Sequence, residues 1–125
     1  MDPNRKLKAR IAHKRWLKEH PERMKNAQVA WRKANPEYSR EYALLTKYGI
    51  TLQEWNVLLA KQKGGCAICH TTTPGGRTKQ FHVDHDHVTG KVRGLLCSKC
   101  NQAIGLLSDS PVTIRAALVY VESHC

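Results

Sequence analysis

Hydrophobic positions are sparse over the first 48 residues, and a short motif recurs among them. The pattern Trp-x-x-x-x-Pro-Glu begins at Trp16 and again at Trp31, fifteen residues later. Proline is favoured at the first position of a helix, because its missing N–H group needs no partner there. The repeat therefore predicts two or three helices that break before Pro21 and Pro36, with Asn35 as the N-cap of the later helix.

The next stretch of chain has apolar residues at helical spacing. A helix is predicted from Pro36 to about Lys47, with Gly49 as its C-terminal stop. Thr51 and Glu54 are spaced as a capping box, which predicts that another helix begins there. This second helix should pack one face on the core. The residues of that face are Leu52, Trp55, Leu58 and Leu59.

The last part of the chain changes from alternating to helical spacing. Residues 81–87 and 92–96 are short segments on either side of a turn, which predicts a β hairpin. Residues 97–107 predict a tight turn followed by a helix, and Ser110-Pro111 predicts the start of a last helix. The residues expected to face the core are Ile104, Leu107, Ile114, Ala117, Leu118 and Val121. The predicted fold class is α+β, mostly helical.

Composition adds two constraints. Hydrophobic content is 41% with a single Phe, so the core is small, and a small core usually needs metal or disulfides. Net charge is +11, and residues 1–48 alone carry 13 of the 21 Lys and Arg and 5 of the 10 Asp and Glu, a net +8. We therefore predict a basic helical DNA-binding arm at 1–48 and a separate domain at 49–125. Burial statistics favour packing at the helix breaks over DNA contact for Trp16 and Trp31.

Four of the five cysteines form two Cys-x-x-Cys pairs, Cys66 with Cys69 and Cys97 with Cys100. Paired spacing of this kind favours a tetrahedral zinc site over disulfides, and four thiolates indicate a closed, structural site. The 27 residues between the inner cysteines exceed the length of a compact zinc ribbon, so this loop should carry a further function. Cys125 is expected to be a free terminal thiol.

That loop contains a run of alternating His and acidic residues at 82–87, and Asn101 follows the last paired cysteine. The arrangement resembles the His-Asn-His (ββα-metal) endonucleases, and most closely the recombination endonuclease VII family of phage junction-resolving enzymes. The resemblance covers roughly residues 49–122. It is carried by Cys66-Ala-Ile-Cys69, His82-Val-Asp-His-Asp-His87, Thr89-Gly-Lys-Val-Arg-Gly-Leu-Leu-Cys97 and Cys100-Asn101. It implies a ββα-metal nuclease core stapled by the zinc.

Phosphodiester hydrolysis needs an activated water, neutralisation of charge on the phosphate and help for the leaving oxygen. A hard cation such as Mg²⁺ or Mn²⁺ prefers oxygen ligands, which Asp84 and Asn101 offer. His85 can accept a proton near neutral pH. The resemblance implies these same roles, with products that carry a 5′-phosphate and a 3′-hydroxyl. The residues expected to support the site or contact phosphate are His82, His87 and Arg93.

Two details of the cluster are open to structural test. Adjacent strand residues face opposite sides, so Asp84 and His85 can share one site only where the backbone is irregular or at a strand end. Asp86 is expected to shape the turn. A zinc site made of histidines (His70, His82, His85 and His87) competes with this interpretation, but the interleaved Asp residues favour a hard cation.

The leading hypothesis is a metal-dependent DNA endonuclease acting on branched or deformed duplex DNA. The alternatives are a nicking or homing-type nuclease on ordinary duplex DNA, and a non-catalytic zinc-ribbon DNA-binding protein. The resemblance also implies a homodimer. No apolar run approaches about 18 residues and the N-terminus lacks a secretory signal, so we expect no membrane partner and a cytoplasmic location, that of the host if the protein is phage-encoded.

Overall fold

The computed structural model of the protein describes residues 4–125, which divide into two compact units, 4–42 and 43–125. The sequence analysis placed the end of the basic arm at residue 48 because of the charge distribution. The DNA-binding role of that arm stays a prediction. Six helices and a two-stranded antiparallel sheet form in the described residues, as the α+β prediction requires. They are α1 (Arg5–Glu19), α2 (Pro21–Ala34), α3 (Pro36–Tyr48), α4 (Leu52–Lys61), β1 (His82–His85), β2 (Val92–Leu96), α5 (Ser98–Leu106) and α6 (Pro111–Glu122).

The two predicted helix breaks share one geometry. His20 has φ −128° and ψ 57°, and Asn35 has φ −127° and ψ 65°. The backbone N–H of each residue donates to the carbonyl of the tryptophan four positions earlier, at 3.0 Å for Trp16 and 2.9 Å for Trp31. The Asn35 side chain also donates to Trp31 O at 2.8 Å. Asn35 therefore uses its amide to close the preceding helix, whereas we expected it to cap the following one.

The tryptophans of the first unit contact residues of their own breaks. The ring of Trp16 stacks on His20 at 4.5 Å, and the Arg23 guanidinium lies 5.8 Å from the centre of the indole. Trp31 meets the edge of Tyr38 at 4.9 Å. Both tryptophans thus contact residues at the breaks, but neither is buried as the packing prediction expected, since 37% of Trp16 and 49% of Trp31 stay exposed. Each ring therefore retains a surface that a partner can reach.

The second unit is built on α4 and the hairpin. The predicted capping box is present, since Glu54 N donates to Thr51 Oγ1 at 3.1 Å and Thr51 N donates to the Glu54 carboxylate at 2.7 Å. The whole predicted apolar face of α4 packs in the core. Two of the four paired cysteines, Cys66 and Cys97, are part of that core, so the predicted metal site borders directly on the hydrophobic core. The buried core residues are Leu44, Trp55, Cys66, Phe81, Val83, Leu95, Leu96 and Cys97.

The strand register is interrupted next to the cluster of histidines and acids. Asp84 pairs with Gly94, but the following residue, His85, pairs with Val92, so Arg93 is an extra residue on β2. This β-bulge confirms that the backbone is irregular at the step from Asp84 to His85. β1 also ends at His85, two residues earlier than we predicted.

Helix α6 packs less closely than its sequence suggested. Ile114 and Ala117 are half-buried, but Leu118 and Val121 are 56% and 55% exposed, so the expectation that these two face the core is wrong. Apolar residues occupy four consecutive positions from 118 to 121, and so cover more of the helix circumference than one contact can bury. Among the described residues no single helix is long and apolar enough to cross a membrane; the pair α5 and α6, bent by 106°, meets that test by length and composition only.

Candidate active site and metal centre

The four paired cysteines converge on one point. Their sulfurs all lie within 4.8 Å of one another, and Cys69 Sγ and Cys97 Sγ are 3.7 Å apart. A tetrahedron with Zn–S bonds of about 2.3 Å has edges of about 3.8 Å, so this spacing suits zinc. Cys66 and Cys97 are buried and Cys100 is half-buried. The predicted cluster is confirmed as a set of thiols that could hold a structural metal such as zinc.

Backbone N–H groups surround the sulfurs. In the first pair the N–H of Ile68 donates to Cys66 Sγ at 3.4 Å, and the turn closes when His70 N donates to Cys66 O at 3.0 Å. In the second pair the N–H of Cys100 donates to Cys97 Sγ at 3.5 Å, which makes Cys97 the N-cap of α5. Such N–H groups stabilise thiolates, the form of cysteine that binds metal.

The thiols of the cluster differ in acidity. Burial raises the pKa of Cys66, but backbone hydrogen bonds, first among them that of Cys97, outweigh it and bring this pKa to about 6. Burial and hydrogen bonds to the other thiols raise the pKa of Cys100 to about 12. The pKa values of these two thiols are thus shifted in opposite directions, and a metal ion that binds all four sulfurs must displace the remaining protons.

Gln62, at the end of α4, ties this cluster to the hairpin. Its side-chain nitrogen donates to Gly65 O at 2.9 Å and Leu95 O at 2.8 Å, while its side-chain oxygen accepts from Leu95 N at 2.9 Å. The amide thus pairs with the edge of β2 that faces away from β1, as a neighbouring strand would, and Leu95 O also accepts from Ala67 N at 3.0 Å. Sequence reasoning missed this role, because a glutamine at a helix end is usually a solvated residue.

Asp84, His85 and Asn101 line one cavity of about 280 Å³. The bulge brings the two strand residues to it together, and α5 brings Asn101, which directly follows Cys100. The Asn101 N–H donates to Cys97 O at 3.0 Å, so the thiol cluster and the cavity share the first turn of α5. The tertiary structure therefore unites the three residues that the sequence singled out as catalytic.

Arg93, the extra residue of the bulge, reaches Asp84 with both arms of its guanidinium. Its Nε donates to Asp84 Oδ2 at 2.7 Å and its Nη2 donates to Oδ1 at 2.9 Å. This hydrogen bonding with Asp84 raises the pKa of Arg93. Bidentate pairs of this kind are geometrically specific. In this state both carboxylate oxygens of Asp84 are occupied by Arg93.

The predicted supporting histidines lie around the same cavity. Both His82 and His87 line it, and the rings of His85 and His87 are 4.9 Å apart. The Nε2 atom of His82 is buried and has no hydrogen-bond partner among residues 4–125. Asp86 is turned away into the hairpin turn, where its carboxylate accepts from the N–H groups of Val88 and Thr89 at 2.8 and 2.9 Å. Its predicted role in shaping the turn is confirmed.

Two polar residues of the cavity, Tyr48 and Asp109, were missed by the sequence analysis. Tyr48, the last residue of α3, places its ring 5.4 Å from that of His85. Asp109 lies in the turn between α5 and α6, with its carboxylate 3.1 Å from His87 Nε2 and 3.5 Å from Arg93 Nη2. An Asp two residues before Pro111 resembles an ordinary helix-start residue, so the pattern of residues gave no signal of this contact.

Comparison with known proteins identified one family model and similar phage proteins. The family model of recombination endonuclease VII matches residues 41–123. The Gene 59 protein of Mycobacterium phage D29 is 40% identical over 89 residues, which are 70% of this chain and 53% of that protein. The Gene 59 protein of Mycobacterium phage L5 is 39% identical over 92 residues, 73% of this chain and 55% of that protein. The chain thus spans about half the length of these curated relatives. No solved structure matches significantly.

Proposed function

The chain belongs to the recombination endonuclease VII family, and from this premise we propose that it is a metal-dependent DNA endonuclease. The observation that carries the proposal is the single cavity lined by Asp84, His85 and Asn101. It contains oxygen ligands for a hard cation and a titratable base within one small volume. We assign to the hairpin and α5 the role of a ββα-metal core, and to the four cysteines a structural zinc.

The donor atoms of the cavity fit Mg²⁺ or Mn²⁺. Asp84 offers a carboxylate and Asn101 an amide oxygen, both of which are hard ligands that leave positions for water and phosphate. These two residues would hold the catalytic cation, which supplies charge neutralisation at the scissile phosphate. Arg93 donates one hydrogen bond to each Asp84 oxygen, so its positive charge opposes a cation at the same carboxylate.

The protein's own side chains provide the remaining chemistry. His85 removes a proton from the attacking water, whose oxygen bonds to phosphorus as the bond from phosphorus to the 3′-oxygen breaks. The leaving 3′-oxygen takes up a proton from solvent water, so the products carry a 5′-phosphate and a 3′-hydroxyl. The rings of Tyr48 and His87, at 5.4 and 4.9 Å, restrict how the His85 ring can turn. A base held in one orientation reacts more often in the productive geometry.

Substrate choice is assigned to the rest of the chain. The basic arm of residues 1–48, with a net charge of +8, would bind DNA phosphates without regard to sequence. The exposed surfaces of Trp16 and Trp31 lie within that arm and suit contact with DNA. We propose branched or deformed duplex DNA as the substrate, and a homodimer as the acting form, in line with the resolving enzymes that the chain resembles.

The test is cleavage of a four-way junction and a linear duplex of the same sequence by zinc-loaded protein with Mg²⁺ or Mn²⁺. We expect the junction to be cut preferentially. We also expect His85→Ala and Asp84→Asn to abolish cutting while binding, measured by gel shift, is retained. His124→Ala removes an exposed histidine beyond α6 and is the matched control, which should cut normally.

Each alternative has its own result in the same assay. Equal cutting of both substrates would favour a nicking or homing-type nuclease on ordinary duplex DNA. Binding without cutting under any divalent cation would favour a non-catalytic zinc-ribbon DNA-binding protein. Cutting by His85→Ala at the parent rate would remove His85 from its role as the base.

A further inference from the structure

Arg93 opposes the binding of a cation by Asp84, because its positive charge already lies against that carboxylate. The guanidinium occupies both carboxylate oxygens, at 2.7 and 2.9 Å, and the Asp84 side chain is only 13% exposed. A cation and a guanidinium therefore compete for the same two atoms. A second acceptor that binds the Arg93 guanidinium would stabilise the state in which Asp84 is free, and so would increase the affinity of Asp84 for the cation.

Asp109 is the acceptor closest to hand. Its Oδ2 atom forms an ion pair with Arg93 Nη2 at 3.5 Å, the upper limit of hydrogen-bond distance, and lies 3.1 Å from His87 Nε2. The carboxylate comes from a tight turn in which Ser108 and Asp109 both have positive φ, 56° and 51°. The Asp109 N–H donates to Ile104 O at 2.9 Å, which fixes the turn to the end of α5. The carboxylate is thus anchored from the helix side of the cavity.

There is also room for Arg93 to move. A second cavity of about 490 Å³ adjoins the first and is lined by Arg93, Asp109 and His87. The Arg93 side chain is 39% exposed, so no packed core holds it in place. Asp109 is already 3.5 Å from the guanidinium, so Arg93 needs to move only a short distance into this cavity to bind it fully.

We propose that Asp109 is a positioning residue of the active site, which receives the Arg93 guanidinium and so frees Asp84 for the catalytic cation. The inference rests on the proposed function, since it assumes that Asp84 binds that cation. It also explains the charges of the site. Asp84, Asp109 and Arg93 together carry a net charge of −1. A bound divalent cation changes the net charge of the site to +1, and one phosphodiester group of the DNA then brings it to zero. Without Asp109 the site would carry an unmatched positive charge.

The experiment is a Mn²⁺ titration of the zinc-loaded full chain without DNA, with free Mn²⁺ measured by electron paramagnetic resonance. The variants are Asp109→Asn, Arg93→Gln and the double variant. Asn is chosen because it tolerates positive φ and keeps the side-chain shape, and Asp109→Gly serves if Asn disturbs folding. Glu122→Gln, an equal loss of charge at the end of α6, is the matched control.

We expect Asp109→Asn to weaken Mn²⁺ binding about tenfold in the parent chain but about twofold or less in the Arg93→Gln chain, because the lost acceptor matters only when Arg93 is present. Equal weakening in both chains would show that Asp109 acts on the cation directly and would overturn the proposal. So would no weakening in either chain.

The outcome separates this inference from the proposed function. If Mn²⁺ binding shows the expected coupling but no DNA is cut, Asp109 keeps its positioning role and the nuclease assignment falls. If DNA is cut in an Asp84-dependent way but the coupling is absent, the nuclease assignment stands and the role of Asp109 is refuted. Mn²⁺ binding that is unchanged in Asp84→Asn would contradict both.

Discussion

Replacement of Gln62 by Ala tests how the thiol cluster is joined to the hairpin. The change removes three hydrogen bonds to the backbone of Gly65 and Leu95. Leu95 is fully buried, so its N–H would have no water to bind in place of the lost amide oxygen. A buried donor left without a partner costs about 1–3 kcal/mol, and with the other two bonds we expect a loss of about 3 kcal/mol.

The assay is thermal unfolding of the zinc-loaded protein, followed by circular dichroism at fixed zinc concentration. For a unit of this size about 1 kcal/mol lowers Tm by about 4–8 °C, so a loss of about 3 kcal/mol in Gln62→Ala should lower it by about 12–24 °C. Gln53→Ala is the matched control, because Gln53 is exposed on the same helix. A fall of less than about 3 °C for Gln62→Ala, or an equal fall for Gln53→Ala, would refute the idea that this amide completes the edge of β2.

Three further predictions concern the metal, a turn and the arm. Cys97→Ser, or zinc removal by a chelator, should lower Tm sharply because metal binding is coupled to folding; a melting curve unchanged by both treatments would exclude a structural zinc. Gly65→Ala should lower the free energy of unfolding by about 1–3 kcal/mol in chemical unfolding, since an added Cβ would lie 2.6 Å from His70 O. Gly105→Ala is its control and should not lower that free energy, because a Cβ at Gly105 meets nothing within 4 Å. Duplex DNA should quench the fluorescence of the exposed Trp16 and Trp31, and added salt should reverse the quenching. The double variant Trp16→Phe/Trp31→Phe keeps only the buried Trp55, so its fluorescence should not change when DNA is added. Quenching that persists in the double variant would contradict binding by the arm.

Features that depend on neighbours in the chain were open to prediction from sequence. The helix breaks at Pro21 and Pro36, the capping box of Thr51 and the two cysteine pairs are local, because each is decided by residues within a few positions. The irregular step at Asp84 could also be anticipated, since alternation on a strand forbids two adjacent residues from facing one site. These local rules explain why the predicted elements and the cysteine cluster agree with the structure.

Features that depend on distant partners were not predictable in this way. The exposure of Leu118 and Val121 follows from how little of α6 the small core can cover, which no helical spacing reveals. Gln62 acquires its role only because β2 brings the edge at Leu95 against the end of α4, 33 residues away in sequence. A polar side chain with the same local pattern would elsewhere be solvated.

The sequence by itself determined which chemical groups the protein has: four thiols spaced for one metal ion, and an acid, a base and an amide held between and beside them. The tertiary structure decided what those groups face. It gave Asp84 a guanidinium from the bulge, placed Asp109 next to that guanidinium, and set the ring of Tyr48 beside His85. The reason is physical, since local spacing governs backbone conformation, whereas contacts across the cavity arise only when the strands, helices and turns pack together.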